Sequence, residues 1–161
     1  MIVSFDLDEV LFINPNLCEA EPALRFPYDR LFPDRLRKGT VDLIHELQRR
    51  EFSVWVYTSS YRTETYIRAL FWRYGVRFDN IVNGKRHEQE VQGKRLDRLP
   101  TKLPSFYHIG LHIDDEVAVI QNAQQYGFKA LRVCEPDPQW AEKIVREACR
   151  VRQLRRLQKL E

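Results

Sequence analysis

The chain opens on a short unbroken apolar run, Ile2-Val3-Ser4-Phe5, that stops abruptly at Asp6-Leu7-Asp8. Runs of this kind, rich in β-formers and without polar alternation, read as strands buried on both faces, as in parallel sheets. Ser53-Val54-Trp55-Val56-Tyr57 is a second such run and ends at Thr58-Ser59-Ser60. Phe78 to Val82, Tyr107 to Ile113 and Lys129 to Val133 supply the third, fourth and fifth strands, and the fourth ends in Asp114-Asp115.

Between these runs the apolar spacing lengthens to three and four. Val41, Leu43, Ile44 and Leu47 share one face of a helix with Thr40 as its N-cap. Tyr66, Ile67, Leu70, Phe71 and Tyr74 mark a second helix over Arg62 to Tyr74, closed by Gly75. Val117 to Tyr126 reads as a third, closed by Gly127, and a last helix from about Gln139 carries Trp140, Ile144, Val145, Ala148 and Val151. Pro15, Pro22, Pro27 and Pro33 keep the stretch from Asn14 to Lys38 irregular. Asn83 to Pro104 is polar and basic, and Asn83-Gly84 and Gln92-Gly93 suggest the tight turns of a small hairpin. Strands alternating with helices predict an α/β fold, a Rossmann-like doubly wound sheet of about five mainly parallel strands with helices on both faces.

Composition changes this picture little. The 161 residues fit one domain, 1–161, and 43% hydrophobic with 30% charged residues is ordinary for a globular chain. Cys18, Cys134 and Cys149 form no CxxC pair, so neither a disulfide frame nor a zinc site is indicated. The segment MIVSFDLDEVLF has no basic lead-in and carries three carboxylates, which argues against a secretory signal. No run of 18 apolar residues occurs, so the expectation is a cytoplasmic protein without a membrane partner. The net charge of +3 is too small to imply nucleic acid. The basic stretches Lys85 to Lys102 and Arg146 to Lys159 read chiefly as solvated faces, with a nucleic-acid partner open but unsupported.

The chemistry lies where the strands end. In an open α/β sheet the carboxyl ends of the strands line the ligand crevice, so Asp6, Asp8, Thr58, Asp114 and Asp115 are expected at one place. Four carboxylates together repel one another unless a cation is present, and hard oxygen ligands select Mg²⁺. A cation beside a phosphate is the usual companion of phosphoryl transfer, which needs positioning and charge neutralisation above all.

These residues resemble the haloacid dehalogenase-like (HAD) superfamily of hydrolases over nearly the whole chain. The resemblance rests on the D-x-D of Asp6-Leu7-Asp8, the strand-terminal Thr58, a lysine before the fourth strand, and the pair Asp114-Asp115. It implies that Asp6 is a nucleophile forming an aspartyl-phosphate, and that Asp8 is the general acid and then the base. It also implies that Asp6, the backbone carbonyl of Asp8, Asp114 and Asp115 surround Mg²⁺, and that Thr58, with Ser59 beside it, and the lysine bind phosphate. Lys85, Lys94 and Lys102 all precede the fourth strand. Lys102, in Thr101-Lys102-Leu103-Pro104, is chosen because related small members look similar there.

Glu9 and Val10 stand where the superfamily commonly has Gly and Thr. That departure leaves a catalytically silent phosphate- or Mg²⁺-binding module as the alternative to an active phosphatase. Neither interval that usually holds a cap is long enough, so no full cap domain is expected, leaving the site open to a small or macromolecular phosphorylated substrate. Oligomerisation, a homodimer included, is a second way to enclose it. Arg62, Lys85, Arg86, His87, Lys94 and Arg95 are candidates for a positive rim. A response-regulator receiver domain also uses an acidic cluster, Thr and Lys, but in a different order along the chain.

The remaining conspicuous residues read as structural. His45 is expected to pack or reach solvent. His108 and His112, four apart, are expected on one side of the fourth strand as hydrogen-bonded imidazoles. Trp55, Trp72 and Trp140 are expected in the core.

Overall fold

The computed structural model describes residues 1–158. Five strands, β1 (Ile2–Phe5), β2 (Ser53–Tyr57), β3 (Asn80–Val82), β4 (Leu111–Asp114) and β5 (Ala130–Arg132), form one sheet in the order β3-β2-β1-β4-β5. Every pairing is parallel. The chain therefore has the expected α/β architecture, with β1 central and the order reversing beside it, which is where such sheets hold ligands.

Period-two alternation sorts the strand residues onto two faces. Val3, Phe5, Val54, Val56, Ile81, Leu111 and Ile113 belong to the main core. They pack with Leu43, Ile44 and Leu47 of α2 (Thr40–Arg49), Ile67, Leu70 and Phe71 of α3 (Glu64–Arg73), and Ile144, Ala148 and Val151 of α6 (Trp140–Leu157). Each such fully buried Val, Leu, Ile or Phe side chain contributes about 1.5–3 kcal/mol. Tyr57, Val82 and Ile109 form a smaller cluster on the opposite face. There Tyr57 meets His87 of α4 (Gly84–His87) and Tyr107 of the 3₁₀ turn Pro104–Tyr107.

Local differences from the sequence expectations have definite causes. Residues 83–92 form α4 and a π-helical turn, Glu88–Gln92, rather than a hairpin. Asn83 is the N-cap, its side chain accepting from the Arg86 amide at 2.9 Å. A Cβ on Gly84 would lie 2.4 Å from the Ser59 carbonyl oxygen, so this glycine permits close approach of the loop after β2. The stretch 107–110 is not strand, and His108, at φ 56°, ends the 3₁₀ turn and does not share a strand face with His112. Trp140 is buried, but Trp72 is 57% exposed on the outer side of α3. Thr40 is the first residue of α2 rather than its cap. The Glu21 carboxylate accepts from the Gly39 and Val41 amides at 3.0 and 3.2 Å and caps α2 from outside the helix. His45 meets the Gly75 carbonyl oxygen at 2.8 Å, as befits a structural imidazole.

The proline-rich excursion lies down on the domain. Bridges join Phe12 to Leu36 and Ala20 to Arg37, and a single helical turn, α1 (Tyr28–Leu31), interrupts it. Among the described residues no inserted cap domain stands over the sheet, and no helix is long and apolar enough to cross a membrane. Lys159, the end of the second basic stretch, lies outside the described residues. The remaining helix, α5 (Val117–Tyr126), has the expected bounds and closes at Gly127, φ 69°.

Candidate active site

Register brings the first two acidic residues together. Phe5 pairs with Ile113, so Asp6 and Asp114 leave their strands level with each other, and the Asp6 amide donates to the Ile113 carbonyl at 2.9 Å. Both side chains are buried. The Lys102 ammonium, also buried, lies 2.6 Å from Asp6 Oδ2 and 2.6 Å from Asp114 Oδ2. Lys85 and Lys94 are exposed on the surface, so of the three candidate lysines Lys102 is the one that enters the site.

Lys102 arrives on a segment with little regular structure, and the opposite face of the sheet fixes it. The buried Tyr57 hydroxyl accepts from the Leu103 amide at 2.8 Å and donates to His87 Nδ1 at 2.6 Å. Burial works against the charge of Lys102, but Asp6 and Asp114 outweigh it and hold its pKa above the ordinary value. Burial also opposes ionisation of Asp114. The hydrogen bond from His112, with the charge and hydrogen bond of Lys102, prevails and holds it down at about 2.

His112 is the residue sequence reasoning placed but did not employ. Its Nε2 lies 2.8 Å from Asp114 Oδ2 and its Nδ1 2.8 Å from Ser4 Oγ on β1. Complete burial lowers its pKa, so the neutral imidazole donates from Nε2 and accepts from Ser4. A signal existed: residues two apart in a strand share a face, which pairs His112 with Asp114.

Asp115 completes the acidic group. Asp6, Asp114 and Asp115 each offer an oxygen within 4.8 Å of the others. Burial, followed by repulsion from Asp114 and Asp6, pushes the Asp115 carboxyl up to about 6. Four carboxylates were expected to meet, and three do. The Asp8 side chain is exposed and turns instead to Arg62, whose Nη1 donates to Asp8 Oδ2 at 2.9 Å. Thr58 is buried at the end of β2, its amide donating to Val82 and its Oγ1 accepting from the Ser60 amide at 3.2 Å. Ser59 beside it is exposed.

The expected positive rim is largely otherwise engaged. Arg62 serves Asp8 and Asp34, Arg86 serves Asn80, Ile81 and Glu90, and His87 is buried against Tyr57. Lys85, Lys94 and Arg95 are solvated.

No protein-family model and no curated protein sequence matches the chain. Solved structures do. A HAD-superfamily hydrolase of subfamily IA from Geobacter sulfurreducens superposes with TM-score 0.57 at 15% identity, over 89% of this chain and 97% of that one. A predicted HAD-like hydrolase from Porphyromonas gingivalis gives 0.54 at 17% identity, over 91% and 97%. D,D-heptose 1,7-bisphosphate phosphatase from B. bronchiseptica, a complex with magnesium and phosphate, gives 0.54 at 16% identity, over 91% and 98%. The fold is that of the HAD-superfamily hydrolases.

Within the HAD fold, Glu9 occupies the place of the commonest motif's glycine, and it adopts φ 60°. The loop keeps the left-handed turn without the residue that adopts it freely, at about 1–2 kcal/mol of strain. Glu9→Gly relieves that strain but loosens the unfolded chain, so we expect a net stabilisation of about 0.5–1 kcal/mol. Urea unfolding of the variant beside the wild type measures it, and an unchanged or lower midpoint at equal slope contradicts it.

Proposed function

We propose that this chain is a magnesium-dependent phosphohydrolase that works through an aspartyl-phosphate on Asp6. The observation that carries the reading is the buried Lys102 ammonium holding Asp6 and Asp114 at the rim of a HAD-type sheet, with Asp115 alongside. Three carboxylates against one lysine leave a net charge of about −2 when Asp115 is ionised, and all the free donors are hard oxygens. This set fits a divalent cation of the magnesium kind. Asp6, Asp114 and Asp115, with the backbone carbonyl of Asp8, would hold it, and it would neutralise charge on the transferring phosphoryl oxygens.

The protein's own groups then divide the work. Asp6 attacks phosphorus while the ester P–O bond breaks, and protonated Asp8 gives its proton to the leaving oxygen. Asp8, now a carboxylate, takes a proton from the water that attacks the phosphorus of the aspartyl-phosphate. Inorganic phosphate leaves and Asp6 is regenerated. Lys102 and the Thr58 hydroxyl balance charge and donate to the phosphoryl oxygens, with Ser59 at the same loop. The alternative of a silent binding module rested on Glu9 and Val10. Glu9 keeps the left-handed turn and is exposed, and Val10 is buried, which supports an intact loop.

With no inserted cap among the described residues, the reading admits both small and macromolecular phosphate esters. A screen of phosphorylated metabolites and nucleic-acid ends with Mg²⁺, wild type against Asp6→Asn, tests the proposal. Turnover lost in the variant supports it, and no turnover in either supports the silent module.

The raised Asp115 carboxyl makes the metal linkage depend on pH. Its folded pKa of about 6 lies above the ordinary carboxylate value, so its contribution to metal-free stability is lost as pH rises through about 6. Mg²⁺ binds the ionised form and restores what is lost. We expect Mg²⁺ to raise Tm clearly above pH 7 and hardly at all near pH 5. Equal shifts at both would contradict the Asp115 assignment.

A further inference from the structure

We infer that Arg62 is a positioning residue for Asp8, acting on the reaction only through that carboxylate. The inference rests on the phosphohydrolase reading and adds to it a residue outside the acidic group. Asp8 is half exposed, its side chain at 51% accessibility, and lies in a turn just past the end of β1. A free aspartate there would sample several rotamers. A proton donor must instead hold one place relative to the leaving oxygen.

Arg62 is built to impose that place. Four of its five N–H groups are committed in four hydrogen bonds: Nε to Asp34 Oδ2 at 3.1 Å, Nη2 to Asp34 Oδ1 at 3.0 Å, and Nη1 to Ser60 Oγ and Asp8 Oδ2, each at 2.9 Å. Asp34 is itself fixed by the Tyr66 hydroxyl, donating to Oδ2 at 2.8 Å, and the guanidinium sits 5.1 Å above the ring of Phe12. The fork on Asp34 sets the plane of the guanidinium, so the direction in which Nη1 meets Asp8 is set as well.

With four of its N–H groups committed to Asp34, Ser60 and Asp8, Arg62 has little to offer a phosphate. Its position also explains why the excursion carrying Asp34 is pinned down: Asp34 is the far end of a brace whose near end is the proposed acid. Lysine, a single point of charge, cannot span Asp34 and Asp8 in this way.

The test compares p-nitrophenyl phosphate, whose leaving oxygen needs no proton, with an alkyl phosphate, whose leaving oxygen does. In Arg62→Ala we expect kcat/KM, which reports only the steps up to departure of the leaving group, to fall about 30- to 100-fold on the alkyl ester and less than about threefold on the nitrophenyl ester. Arg62→Lys should lie between. Asp8→Asn should show the same leaving-group selectivity, and Asp8→Asn with Arg62→Ala should be no worse than Asp8→Asn alone. If Arg62→Ala folds poorly, Asp34→Asn, which weakens the brace and spares the arginine, should show the same selectivity in smaller measure. Equal losses on both esters, no loss, or losses that multiply in the double variant overturn the inference while leaving the phosphohydrolase reading intact. Failure of the wild type on both esters with Mg²⁺ overturns that reading, and the inference with it.

Discussion

Replacing Lys102 by methionine, close in length and uncharged, is expected to lower stability near neutral pH by about 3–5 kcal/mol, because two buried carboxylates lose their shared cation. Lys102 bridges Asp6 and Asp114 at 2.6 Å to each, and none of the three has appreciable contact with solvent. The deficit has a pH signature. Without the ammonium, Asp114 loses part of what holds it near 2, and its carboxyl moves up. Groups raised in the folded state cost stability as pH rises through their folded values, so the deficit should shrink in acid and be largest above pH 7. Mg²⁺ should recover part of it. Turnover should fall by roughly 10²–10³, the usual effect of removing a charge-stabilising donor. Urea unfolding at several pH values, with and without Mg²⁺, measures the first effect, and a deficit independent of pH would contradict the charge argument.

The second large effect is expected at Asp6. Asp6→Asn keeps the shape of the side chain and removes the proposed nucleophile, so turnover of any phosphate ester should drop on the order of 10⁴–10⁶-fold, as for other nucleophile deletions. Stability should change much less than in the lysine variant. Asp6 repels Asp115 as well as attracting Lys102, so losing its charge has opposing consequences. The Asp115 carboxyl should fall from about 6 once one of its neighbours is neutral. Nuclear magnetic resonance of the Asp115 carboxyl carbon through a pH titration reports that shift, and an unmoved or raised value would argue against the coupling.

The parts of this architecture legible in the sequence are those with local causes. The apolar runs ending at Asp6, Thr58 and Asp114 mark the strand ends because buried parallel strands carry no alternation to confuse them. Helix α5 has its bounds, Val117 and Tyr126, written in spacing and in Gly127. Lys102 was chosen among three lysines by the likeness of Thr101-Lys102-Leu103-Pro104 to related small members, and the fold brings it between the carboxylates.

What was not legible depends on partners distant in sequence. Glu21 caps α2 from another segment, which left Thr40 as the apparent cap. Asn83-Gly84 looks like a hairpin turn, yet Asn83 caps a helix and Gly84 makes room for the Ser59 carbonyl. The Asp34-Arg62-Asp8 brace joins three segments, and no one of them carries a motif for it. Tyr57 and His87 support Lys102 from the far face of the sheet, where a tyrosine in an apolar run reads simply as core.

The central claim is that phosphate passes through a covalent bond to Asp6. It is tested most directly by quenching the protein in acid during turnover of a phosphate ester with Mg²⁺, reducing with borohydride, and mapping the peptides by mass spectrometry. An aspartyl-phosphate is reduced to homoserine, which the account predicts at position 6 and nowhere else. Homoserine at position 115, or turnover with no reducible aspartate, would contradict it.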